Sequence, residues 1–134
     1  MAVRLGMIVR QMRRDFDRAA SALGITGSQW TLLAVVAGNP GSTQRTIAEL
    51  LEMTEASAGR LIDRMVADGM VERRPKPDDR RAHCIYPGPA AEPILEQLAV
   101  LGATQEERLL AGLGAEERET LSRLLDRMAA NLQH

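Results

Sequence analysis

Ser57 and Arg60 stand three residues apart, which places both on one face of a helix, opposite Leu61 and Ile62. An arginine so placed offers a planar fork of donors that can grip guanine O6 and N7, or a phosphate. Downstream, Arg73, Arg74, Lys76, Arg80 and Arg81 crowd into nine positions with Asp78 and Asp79 between them. An arginine at the tip of a two-stranded hairpin can lie in a minor groove, where narrow A·T tracts concentrate negative potential. Asp79 can brace the Arg81 guanidinium through a charge-assisted hydrogen bond. Thr43, Gln44 and Arg45 can touch phosphate at a helix N-terminus, or simply cap it. The residues assigned to a DNA duplex are Thr43, Arg45, Thr54, Ser57, Arg60, Arg64, Arg74, Lys76, Arg80 and Arg81. The plainer readings are a solvated helix face and a solvated hairpin tip. Catalysis is not indicated: the sequence shows no nucleophile–base pair, phosphate loop or metal cluster.

The elements that must position these groups follow from apolar spacing. Leu5, Ile8, Met12, Phe16, Ala19 and Leu23 step by three and four, the stripe of a first helix, with Gly24 as its C-cap. Ser28 is expected to cap a second helix carrying Trp30, Leu33, Ala34 and Ala37, and residues 38–42 form a loop. A short third helix starts at Thr43 or at Thr46, where Glu49 completes a capping-box pattern. Thr54 caps a fourth, with Ala58, Leu61, Ile62, Met65 and Val66 inward and an end near Gly69. Residues 70–74 and 82–86 read as the strands of a hairpin whose tip runs from Pro75 to Arg80. Leu95, Leu98, Leu101, Leu109, Leu110 and Leu113 suggest a long helix interrupted at Gly102, and Leu121, Leu124, Leu125, Met128 and Leu132 a last one. The fold class is mainly α with a small β-hairpin: a winged helix-turn-helix over residues 24–88, with residues 1–23 and 89–134 as dimerisation helices of one 134-residue domain. The terminal helices hold more apolar stripe than one small core needs, which predicts a two-fold homodimer.

Composition narrows the classes further. There are 17 basic and 18 acidic residues, and Lys76 is the one lysine. That balance excludes a polybasic tail but not DNA binding. Residues 1–20 are net positive, 43–82 are balanced, and 90–134 are net negative, so the C-terminal part should face away from phosphate. With Phe16, Trp30 and Tyr86 as the only aromatics, a stacking platform for single strands is not expected. One cysteine, Cys84, allows no disulfide within the chain, and with His83 and His134 it cannot assemble a zinc site. No cofactor is expected. The N-terminus is not patterned as a signal peptide and no apolar run suits a bilayer, so the expected location is the cytoplasm, away from membranes.

Three stretches carry a resemblance: residues 23–30 (LGITGSQW), the helix-turn-helix of residues 46–62, and residues 68–74 (DGMVERR) leading to Asp78-Asp79-Arg80-Arg81-Ala82. They resemble the MarR family of winged-helix regulators, especially its SlyA-type members. The resemblance implies a homodimer that binds a pseudo-palindromic operator and is often released by small aromatic acids or thiol oxidation. It also implies an effector pocket between the first, second and fifth helices, for which Arg10, Met12, Arg13, Phe16 and Trp30 are the candidates, with Arg10 or Arg13 meeting a carboxylate. Two departures stand out. The peroxide-sensing branch keeps its reactive cysteine in the first helix, where this chain has none. Many members close the wing with Leu-Thr, the Thr capping the next helix; here Pro87-Gly88 takes that place, with Gly88 as an N-cap and Pro89 in the first turn. Cys84 is expected to pack as a small hydrophobe and His83 to be exposed. The expected function is a ligand-responsive repressor. The alternative is a winged-helix protein-interaction module that does not bind DNA.

Overall fold

The computed structural model of the chain describes residues 1–133, apart from the side chain of Arg80. His134 lies outside the described residues. The chain forms two compact units, Met1–Gly102 and Ala103–His134. The first holds α1 (Ala2–Ser21), α2 (Gly27–Gly38), β1 (Ser42–Thr43), α3 (Gln44–Leu50), α4 (Glu55–Ala67), β2 (Val71–Lys76), β3 (Asp79–Pro87) and the start of α5 (Ala91–Leu109); the second holds the end of α5 and α6 (Ala115–Asn131). No helix among the described residues is long and apolar enough to cross a membrane.

Local chemistry sets most boundaries. α1 stops where Gly24 takes a left-handed φ of 80°. Thr26, rather than Ser28, caps α2: its hydroxyl accepts the Gln29 N–H while the Gln29 side chain accepts the Thr26 N–H. Thr43 caps α3 by accepting the Thr46 N–H, and Glu49 pairs with Arg45 instead of closing a box on Thr46. Thr54 caps α4 as expected, and Gly69 ends that region with φ 74°.

The sheet is larger than the expected hairpin. Its strand order is β1-β3-β2, all antiparallel. Gly41, at φ 85°, turns the chain and donates its N–H to the Ile85 carbonyl, so the loop after α2 feeds directly into a short third strand. The hairpin tip is correspondingly tighter: Lys76 pairs with Asp79, and the ladder shifts between Pro75 and Lys76, where proline has no N–H to give. Cys84 lies buried in the central strand, opposite Thr43 on one side and Arg74 on the other, while His83 is exposed.

Leu32, Leu33 and Val36 of α2, Ile47 of α3, Ile62 and Met65 of α4, and Val71 and Ile85 of the sheet form the fully buried centre. Val66, expected inward, is 37% exposed. Gly88 belongs to the joint between sheet and helix. Its N–H donates to the Met70 carbonyl, and the Ala90 N–H donates to the Gly69 carbonyl. A Cβ on Gly88 would overlap the Gly69 oxygen and come within 2.9 Å of its carbonyl carbon. α5 therefore begins at Ala91, later than a Gly88 cap would place it, and runs through Gly102 to Leu109. In the second unit, Leu110 and Leu113 lie in the turn after α5, not on it. Arg118 of α6 ties that turn: it donates to the Leu110 and Leu113 carbonyls and pairs with Glu107 at 3.1 Å.

Candidate nucleic-acid interface

α3 and α4 form the helix-turn-helix. Ala48 is buried, and its carbonyl accepts the Met53 N–H across the turn. Glu52 makes the turn with φ 54°, a left-handed conformation that costs a non-glycine residue about 1–2 kcal/mol. No local signal marks that glutamate in the sequence.

Three rows divide α4. Ala58, Leu61, Ile62 and Met65 are buried against the core. Arg60 and Arg64 are exposed and Ser57 is half-buried, with the Arg60 guanidinium donating to the Ser57 hydroxyl at 3.2 Å. That bond holds the guanidinium along the helix and leaves its other donors for a partner. Glu55, Gly59 and Asp63 form the third row. A glycine at position 59 is explicable from sequence as room for close approach of DNA. The structure turns it toward α3 instead: a Cβ there would stand 2.8 Å from Gln44 Nε2, which donates to the Glu55 carbonyl. Gly59 thus sets how closely α3 and α4 pack.

The wing sorts its arginines. Arg73 points back at α4, with Nη1 2.6 Å from Asp63 and Nη2 donating to the Gly59 carbonyl. Arg74 faces the other way, exposed, bonded to Glu72 at 3.1 Å and stacked 4.2 Å over the Tyr86 ring. Lys76 lies 3.9 Å from Asp78. Asp79 accepts the backbone N–H of Arg81, so it shapes the turn, whereas bracing of the Arg81 guanidinium was the expectation; Arg81 itself is exposed. The side chain of Arg80 lies outside the described residues. At the start of α3, the Thr43 hydroxyl is engaged with the Thr46 N–H and hydroxyl, and Thr54 likewise caps α4. Arg45 is exposed beside Glu49. α4 and the wing thus carry exposed cations, the kind of groups that meet base edges or phosphates in protein–DNA contacts.

A cavity of about 440 Å³ opens where α1, the start of α2 and the α3–α4 turn meet, lined by Arg13, Asp17, Gly27, Ser28, Thr31, Leu51 and Met53. Of the five pocket residues expected from sequence, Arg13 lines it, and the α3–α4 turn stands where the fifth helix was expected as the third wall. Phe16 and Trp30 pack against each other, their ring centroids 4.6 Å apart, and against the core. Trp30 Nε1 donates to Asp17, and Arg13 donates to the Thr31 hydroxyl. Met12 is half-buried and Arg10 exposed. Asp17 stands one helical turn after Arg13, a spacing that could have flagged it; the contributions of Leu51 and Met53 depend on long-range folding.

Residues 23–82 match the family model described as the MarR family. The HTH-type transcriptional regulator YybA of Bacillus subtilis is 26% identical over 129 residues, covering 96% of this chain and 86% of YybA. The crystal structure of the transcriptional regulator SlyA aligns with a TM-score of 0.81 at 26% identity, over 98% of this chain and 92% of that one. A MarR variant from E. coli complexed with operator DNA aligns with a TM-score of 0.76 at 27% identity, over 95% of this chain and 91% of that one.

Proposed function

From the match of residues 23–82 to the MarR family model, we propose that the protein is a MarR-type regulator: a cytoplasmic, homodimeric repressor that binds a pseudo-palindromic operator and answers to a small effector. The observation that carries DNA binding is the outward row of α4, Ser57, Arg60 and Arg64, beside a wing that presents Arg74, Lys76 and Arg81. A related structure of the same fold was solved with operator DNA. In a dimer, the two α4 helices would stand about 34 Å apart, one turn of duplex. Because the middle of the chain is charge-balanced, acids limit indiscriminate phosphate binding and the placed arginine forks supply the selectivity.

Titrating the full chain against the intergenic duplex beside its own gene, at several KCl concentrations, tests this reading. A complex whose affinity falls linearly with salt on logarithmic axes is expected. Absence of any salt-sensitive complex at micromolar protein would favour the protein-interaction module.

Dimerisation is supported by apolar surface left open on both terminal helices: Val3, Ile8 and Val9 on α1, and Leu121, Leu124 and Leu125 on α6. Leu125→Glu should shift the sedimenting species from dimer to monomer. A variant that still sediments as a stable dimer removes Leu125 from the interface.

The effector reading rests on the cavity. Arg13 can meet a carboxylate, Ser28 and Thr31 supply hydroxyls, and Leu51 with Met53 offers an apolar wall. That set suits a small aromatic acid. Leu51 and Met53 belong to the turn that aims α4, so an occupant favouring one setting of that turn changes operator affinity by its differential affinity for the two settings.

A further inference from the structure

The third row of α4 is held from two sides by residues that no DNA contact requires. Glu55, Gly59 and Asp63 follow one another at four-residue spacing. From α3, the Gln44 amide lies over Gly59 and donates to the Glu55 carbonyl at 3.4 Å. From β2, Arg73 forks between the Gly59 carbonyl at 3.4 Å and the Asp63 carboxylate at 2.6 Å. Gly59, having no side chain, lets both groups reach the helix backbone over the same turn. The buried row fixes how deeply α4 sits, but a helix resting on apolar contacts alone can still roll about its axis. Two polar clamps on one flank resist that roll, and rolling would carry Ser57 and Arg60 across the groove.

We propose that Gln44 and Arg73 are positioning residues for the recognition helix: together they set its rotation, and Arg73 couples that rotation to the wing. This rests on the DNA-binding reading above. Arg73 is a strut here, not a phosphate ligand. Its side chain is 27% exposed, against 57% for Arg74, the neighbour that faces outward. The geometry also needs arginine, because a lysine ammonium cannot span the carboxylate and the carbonyl as a rigid fork.

The test uses the full chain, a duplex selected by the wild-type protein from a random-sequence pool, and a scrambled duplex of equal length. Arg73→Lys is expected to weaken the selected complex about tenfold while leaving the scrambled complex and the salt slope unchanged. Asp63→Asn should do the same, and the double variant should be no worse than either single one. Backbone amides of residues 59–63 should exchange faster in both variants without DNA present. Wild-type affinity in Arg73→Lys, additive losses in the double variant, unchanged exchange, or a salt slope reduced by about one in Arg73→Gln would each overturn the proposal. If the wild-type chain selects no duplex at all, the DNA-binding reading fails and the proposal with it. A wild-type complex that Arg73→Lys leaves untouched sinks the proposal alone.

Discussion

An Arg60→Ala variant is expected to lose about 1–3 kcal/mol of operator binding while melting as the wild type does. The two halves of that expectation come from different faces of one helix. Arg60 is exposed, and its one described bond, to the Ser57 hydroxyl, is a surface contact worth little to the fold. Alanine is also the better helix former, so α4 keeps its stability. Its neighbours Leu61 and Ile62 are buried and untouched by the change. What disappears is a fork aimed away from the core. Arg81→Ala, at an exposed position near the tip of the wing, should give a loss of the same order. Fluorescence titration with a selected duplex, alongside urea unfolding, separates binding from stability. Wild-type affinity in both variants would remove these residues from the interface.

Gly88→Thr is expected to cost about 3 kcal/mol of folding stability, the upper end of the range for overpacking a tight site. Threonine is the residue that many MarR-type proteins carry at this joint, so likeness alone would suggest improvement. The geometry argues the reverse. The atoms in the way are the backbone carbonyls of Gly69 and Met70, and these are fixed by the hydrogen bonds that Gly88 and Ala90 make to them. No rotamer of a neighbouring side chain can relieve that overlap. Either the β2–β3 sheet separates from the start of α5 or those two bonds break. Urea unfolding should show a lower midpoint with an unchanged slope. A midpoint at or above that of the wild type would show that the joint yields more readily than its bonding implies.

The elements that could be read from sequence are those set by local chemistry. Gly24 and Gly69 both carry positive φ where the apolar stripes end, and Thr54 caps the helix it precedes. The choice between Thr26 and Ser28 as cap was legible in principle, because Gln29 stands three residues after Thr26 and not after Ser28. Other features were set at a distance. β1 is two residues long and exists because Gly41 bonds Ile85, far along the chain. Glu52 adopts a left-handed turn that its residue type does not announce. Gly59 looks like an opening on an outer face until Gln44, from another helix, is seen above it. The candidate site divides in the same way. Period and charge identified Ser57, Arg60 and the crowded wing, but which wing arginine turns outward depended on strand register. The cavity draws on α1, α2 and the α3–α4 turn, so no single stretch of sequence displays it.

The burial of Cys84 turns the molecule into its own reporter. This single thiol sits in the middle strand of the sheet, covered while Thr43 and Arg74 stay paired across it. A thiol reagent can reach it only when that root of the wing opens, so the labelling rate measures the opening equilibrium at this one point of the sheet, with no mutation and no attached probe. Operator DNA or an effector that steadies the wing would slow this clock, and one that loosens it would speed the clock up.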